Sequence, residues 1–164
     1  MLPVWVDAGY RFSRPLYAGA YFQWAPAFVS SDVCPKNLSC SAHDLRFGLD
    51  LEWHFRGAFG DGSWAGPFDP WAGIGAGYET TTFDLSTADG ASSSETYHGF
   101  EYGSLGLGAD FVAAPWRVGP FFTTTLAEYL RRAQSNASGS PGFAIVEPRL
   151  HLWFILGARG RFDL

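Results

Sequence analysis

Residues 43–55, HDLRFGLDLEWHF, constrain this chain more than any other stretch. Leu45, Phe47, Leu49, Leu51, Trp53 and Phe55 occupy every second position, and Asp44, Arg46, Asp50, Glu52 and His54 fill all but one of the places between. A period of two with chemically opposite faces is a β-strand. In a soluble sandwich or barrel the apolar face points inward. In a barrel that crosses a bilayer the same pattern is worn inside out.

Alternating segments recur near 3–13, 16–29, 43–56, 68–83, 98–113, 117–131 and 149–163. Several exceed the roughly 9–11 residues that a tilted strand needs to cross a bilayer. In the last, Leu150, Leu152, Phe154, Leu156 and Ala158 oppose His151, Trp153, Arg159 and Arg161. In the fifth, Leu105, Leu107 and Phe111 oppose Ser104, Gly106, Gly108 and Asp110. Only the sixth is ambiguous: Phe121 and Phe122 compete, and Glu128 falls on the apolar row. The polar rows are glycine and charges of both signs, a mixture suited to a narrow barrel interior, where glycine gives room and opposite charges pair. An arginine facing lipid near the midplane costs about 2–4 kcal/mol, so Arg46 and its neighbours are expected to point inward. By the same logic Leu49→Arg is expected to impair insertion, and Gly48→Ser to be the milder change.

Composition agrees. Charged residues are 16%, against about 25% in soluble proteins, aromatics are 18%, and Lys36 is the only lysine. Soluble sheets use charge, lysine especially, to keep exposed faces and edges apart. A net charge of −5 without a basic tract argues against nucleic acid. No apolar run is long enough for a transmembrane helix. A soluble lipocalin-like barrel with an apolar ligand would need the opposite assignment of faces, leaving far more apolar surface in water than soluble monomers carry.

The connectors alternate in length. Residues 13–15 and 114–116 are tight, whereas 30–42, 84–97 and 132–148 are long and rich in Ser, Gly, Asn and Asp. The 57–67 connector is intermediate. Short turns at one end and long loops at the other are a habit of outer-membrane barrels, with the long loops outside the cell. Cys34 and Cys40 lie in one of these loops and are expected to form a small disulfide-closed ring in an oxidising compartment. The start, MLPVWVDAGYRF, lacks the basic region and apolar stretch of a signal peptide. Seven crossings place the two chain ends on opposite sides of a membrane, whereas single-chain bacterial barrels have an even number. A further strand upstream of Met1 is therefore expected. Without it, the first and last segments must either meet in a seven-strand closure or leave two unpaired edges.

Segments such as DPWAGIGAGYE and FEYGSLGLGADF, together with the terminal LHLWFILGARGRFDL, resemble the small OmpA/OmpX/OmpW-like outer-membrane β-barrels of Gram-negative bacteria, often described only as outer membrane β-barrel or porin-family proteins. The resemblance covers essentially the whole chain. It implies an all-β, antiparallel, up-and-down transmembrane barrel of the eight-stranded type, as one domain over residues 1–164. It also implies outer-membrane lipid as surroundings, and recognition of the C-terminal strand by the barrel-assembly machinery. Such barrels usually end in an aromatic residue; here Leu164 is last and Phe162 lies two before it.

Asp7, Arg11, Arg46, Asp50, Glu52, Glu79, Asp110, Arg159 and Arg161 read as a polar network in the lumen. A barrel of eight strands is just wide enough for side chains to fill, so a packed plug is expected over a pore for small solutes or ions. Ser41, His43 and Asp44, with Glu95 and His98, sit near the long-loop rim, where a lipid-modifying enzyme would need its residues. Polar rim residues are ordinary, and no catalytic role is expected. Four scattered histidines (His43, His54, His98, His151) suggest no metal cluster, and no cofactor is expected. The triplets Asn37-Leu38-Ser39 and Asn136-Ala137-Ser138 match a glycosylation pattern that polar loops produce by chance. The expected role is structural or surface-interactive, with an unidentified extracellular partner for the long loops.

Overall fold

The computed structural model describes residues 3–27, 34, 38–56, 67–87, 92–113, 115–135, 143–145, 148 and 150–163. The two glycosylation-like triplets at 37–39 and 136–138, most of the 57–67 connector and Leu164 lie wholly or partly outside them. The strands are β1 (Val4–Arg11), β2 (Leu16–Ala27), β3 (Leu38–His54), β4 (Phe68–Thr87), β5 (Ser92–Ala113), β6 (Trp116–Ser135), the two-residue β7 (Phe143–Ala144) and β8 (Leu150–Asp163). Consecutive long strands pair antiparallel in a ring β1-β2-β3-β4-β5-β6-β8, and β7 pairs only with Arg131 and Arg132 of β6.

Seven up-and-down strands can close only if one neighbouring pair runs parallel. That seam lies between β1 and β8, where Val4–Gly9 pair with Ala158–Asp163. Of the two arrangements open to a seven-strand chain, the structure has the closed one, and closure leaves no long strand of the ring with a free edge for lipid to strip of hydrogen bonds.

One expected long loop, 84–97, is largely strand. Residues 84–87 and 92–97 form a protruding β4–β5 hairpin whose register runs to Ser86↔Ser92, with Thr82 and Thr96 hydroxyls 3.3 Å apart across it. At the other loops, β3 begins at Leu38 and β6 runs to Ser135. Beyond the apolar band a strand has no need of a greasy row, so pairing persists while alternation fades.

The faces are as the alternation requires. Leu49 is 69% exposed and its neighbour Asp50 9%. The sixth strand is settled by Phe121 packing inside and Phe122 facing out. Glu128 stays on the outward row and receives the Tyr102 hydroxyl. Outward residues on β6 from Trp116 to Leu126 span ten residues, a rise of about 25 Å at barrel tilt, matching the apolar band of a membrane barrel. Aromatic belts edge it. Near the short turns lie the ring pairs Tyr10–Phe12, Phe68–Phe111 and Trp116–Phe162, with centroids 5.3, 5.1 and 5.0 Å apart. Toward the other end, Tyr78 meets Phe47 at 5.6 Å and Phe100 at 5.3 Å. The Tyr and Trp members, with an apolar body and a polar tip, favour that depth.

The ladder is irregular at Gly75/Gly77, at His98/Gly99 and at the bulge that sets the phase of β5. Between Glu101 and Gly103 the β5–β6 register slips, with Tyr102 as the extra residue. The bulge flips phase, so Phe100 and Tyr102 face out on one side of it and Leu105 and Leu107 on the other. At Gly48 a Cβ would collide with the Ala76 carbonyl and lie 2.7 Å from the Gly77 Cα and the Tyr21 hydroxyl. Gly48→Ser is therefore not the mild change the pattern suggested: this glycine is fixed by close approach of backbone.

Candidate functional site

The lumen is filled by two ion-pair networks separated by rings. Near the short turns, β8 supplies Arg159 and Arg161 because Gly160 lies between them and the strand alternates. Arg159 donates to both carboxylate oxygens of Glu52 and to Asp110, with Nη2 2.9 Å from Asp110 Oδ2. Arg161 Nη1 donates to Glu52 Oε2 at 2.6 Å, and its Nη2 lies 3.1 Å from Asp110. His54 and Arg117 both reach Asp69, at 3.1 and 2.7 Å. Toward the long-loop end, Arg46 of β3 donates to Asp44 and to Glu101 at 3.0 Å and lies 3.5 Å from Glu79. Tyr21 donates to Glu101, and Thr81 donates to Asp44 at 2.8 Å.

Each of the three buried guanidiniums has carboxylates at its edge and a ring against its face. Arg159 sits 3.6 Å from the Trp71 centroid, Arg161 4.3 Å from Tyr17, and Arg46 5.2 Å from Trp153. A planar, weakly hydrated cation can be desolvated in this way where an ammonium could not. Between the networks Trp5, Tyr21, Trp71, Phe121 and Ile155 form an apolar cluster. Trp5 meets Tyr21 at 4.9 Å and Phe121 at 4.8 Å. The two cavities that touch Trp5, one beside Asp50 and Trp71 and one beside Gln23 and Glu101, hold about 10 Å³ each, room for a single water.

Eight of the nine residues expected in the lumen are buried there: Asp7, Arg46, Asp50, Glu52, Glu79, Asp110, Arg159 and Arg161. Arg11 differs. It lies at the last position of β1, half-buried, and its Nη1 donates to the Arg14 carbonyl across the turn at 3.0 Å. The short β1 ends before the lumen does. Tyr17, Trp71 and Asp69 are buried in the lumen as well; the inward parity of β2 and β4 marks all three, but they are not among the polar residues expected in the network. Asp7, Asp50 and Glu52 bring ligand atoms within 4.8 Å of one another. Glu52 is already engaged by two guanidiniums, and Asp7 receives the Tyr17 hydroxyl at 2.6 Å. Glu52 and Asp7 therefore serve the ion-pair network.

At the long-loop end the lumen opens into a cup of about 460 Å³. Phe83, Tyr97, Tyr129 and Trp153 line it, with Ala42, Thr81 and Glu95. The Tyr129 hydroxyl lies 2.7 Å from Thr81 Oγ1, and the Tyr129 ring stacks on His151 at 4.3 Å. His151 in turn sits 2.6 Å from Glu79. Tyr97 donates to Glu95 at 2.7 Å, and Arg132 pairs with the same carboxylate. Of the rim residues weighed for catalysis, Asp44 is taken up by Arg46 and Thr81 in the lumen, and Ser41 lies opposite Asp84 in the β3–β4 register. His43 faces Asp84 at 3.9 Å, and His98 meets Thr80 at 3.2 Å. Cys34 and Cys40 are bonded, with Cα atoms 5.9 Å apart.

No family model matches the sequence, and no curated protein matches it. Among solved structures the chain is similar to a major outer membrane protein from Thermus thermophilus, with a TM-score of 0.52 and 12% identity over 89% of this chain and 83% of that one. At that identity the likeness is one of fold: an outer-membrane type of β-barrel.

Proposed function

We propose that the chain is an integral β-barrel of a Gram-negative outer membrane, a scaffold whose work is done at the cell surface. The supporting observation is a pairing of opposites. The lumen is closed by Arg–carboxylate networks and stacked rings, while the outer wall is apolar between two aromatic belts. A barrel with so little free interior volume is a plug. What remains for interaction is the long-loop end: the cup, the β4–β5 hairpin and the disulfide-stapled segment.

On this reading the partners are outer-membrane lipid, the assembly machinery that engages β8, and an extracellular partner met by the long-loop end. The role is non-catalytic and needs no cofactor. Planar-bilayer recording of the refolded protein tests it. The plug predicts no steady unitary conductance; stable, reproducible steps would replace it with a small-ion pore, whose surplus of lumenal carboxylates would favour cations.

A further inference from the structure

We propose that the cup at the long-loop end is a binding site for a small organic cation with an apolar, ring-sized body. Its volume, about 460 Å³, is that of a small-molecule site. Its wall is made of rings set at different angles: Phe83 and Tyr97 have centroids 6.0 Å apart at 89°, and Tyr97 and Tyr129 5.5 Å apart at 50°. The wall therefore curves and offers π-faces in several directions. Hydroxyl anchors hold the tyrosines, through Thr81 to Tyr129 and Glu95 to Tyr97. A preformed cage loses little freedom on binding.

Charge selects the sign of the guest. In the cup and the layer beneath it lie four carboxylates, Asp44, Glu79, Glu95 and Glu101, against two guanidiniums, Arg46 and Arg132. Glu79 and His151, 2.6 Å apart, form a pair of zero net charge whichever of them holds the shared proton, which leaves three carboxylates facing two guanidiniums. Two of the rings already take a guanidinium: Arg46 lies by Trp153, and Arg132 lies 5.9 Å from the Tyr97 centroid. Both guanidiniums are held by carboxylates, so the local balance stays negative. An anion would meet that surplus directly, and a neutral guest would gain only the apolar contact. A cation with an aromatic or alkyl body gains both contact and charge.

The test uses the full chain in an uncharged maltoside detergent, with benzyltrimethylammonium, benzyl alcohol and phenylmethanesulfonate as cationic, neutral and anionic probes, read by calorimetry. The proposal predicts saturable, one-to-one binding of the ammonium, about tenfold or more tighter than either other probe. Phe83→Ala and Glu95→Gln, cross-strand neighbours at the base of the protruding hairpin and outside the two lumen networks, are expected to weaken the ammonium several-fold while the barrel remains folded. Equal affinity for all three probes, absence of saturable ammonium binding, or full affinity in both variants would each overturn it.

Discussion

Arg159 of β8 and Glu52 of β3, 107 residues apart in sequence, face each other across the barrel with two guanidinium nitrogens on two carboxylate oxygens. Both side chains are buried, so each is the other's replacement for water. Removing one partner leaves the other buried and short of its bidentate counter-ion, Arg159 with only Asp110 and Asp7 beside it and Glu52 with only one guanidinium, that of Arg161. Glu52→Leu or Arg159→Leu is expected to destabilise the barrel by about 3–5 kcal/mol. The double replacement removes one charge of each sign, and Arg161 and Asp110 are still in place to pair. It is expected to be less destabilised than either single variant. Urea midpoints in lipid vesicles give the comparison, and a double variant worse than both singles would show that the pair is not the unit.

On the outer wall the substitution logic inverts. Leu49→Arg, outward on β3, is expected to cost about 2–4 kcal/mol if its depth is near the midplane, whereas Leu49→Phe keeps the apolar row and is expected to be nearly neutral. At adjacent Gly48 even Ala is expected to be destabilising, because a Cβ there meets the backbone of β4. The same vesicle titration reads all three. Tolerance of Leu49→Arg would place that face away from lipid.

The Cys34–Cys40 bridge closes a short loop, and its stabilisation is expected to fall below the roughly 3 kcal/mol of a 15-residue loop. Its consequence is shape and accessibility at the long-loop end. An impermeant maleimide applied to intact cells is expected to label the protein only after reductant. Labelling without reductant would mean free thiols; none after it would put the loop on the other side of the membrane.

The period-two rows of β3 and β8 carried the fold, because lipid and lumen impose opposite chemistry on alternate residues with no compromise. They also identified the buried charges, since Arg46, Glu52, Arg159 and Arg161 are too costly to face hydrocarbon. What alternation could not show follows from where that pressure stops. Past the apolar band, residues such as Asp84 and Ser94 pair in a hairpin without alternating hydrophobicity, so strand reads as loop. The bulge at Tyr102 is visible as a phase break within FEYGSLGLG, yet only pairing with β6 reveals which residue is extra. Partners across the lumen, such as Arg159 with Trp71, depend on strand stagger and have no local signature. The parallel β1–β8 seam is a property of the closed ring and is written in neither strand alone.

Nitroxide labels on single cysteines placed outward at Leu49, Leu107 and Leu156, in vesicles, test the central assignment of charge inside and apolar residues outside. The native cysteines, being bonded, do not compete for the label. Collision with oxygen, which concentrates in hydrocarbon, is expected to be high at all three positions, and collision with a water-soluble nickel chelate low. The reverse pattern, with the chelate reaching these positions freely, would contradict the account and turn the barrel outside in.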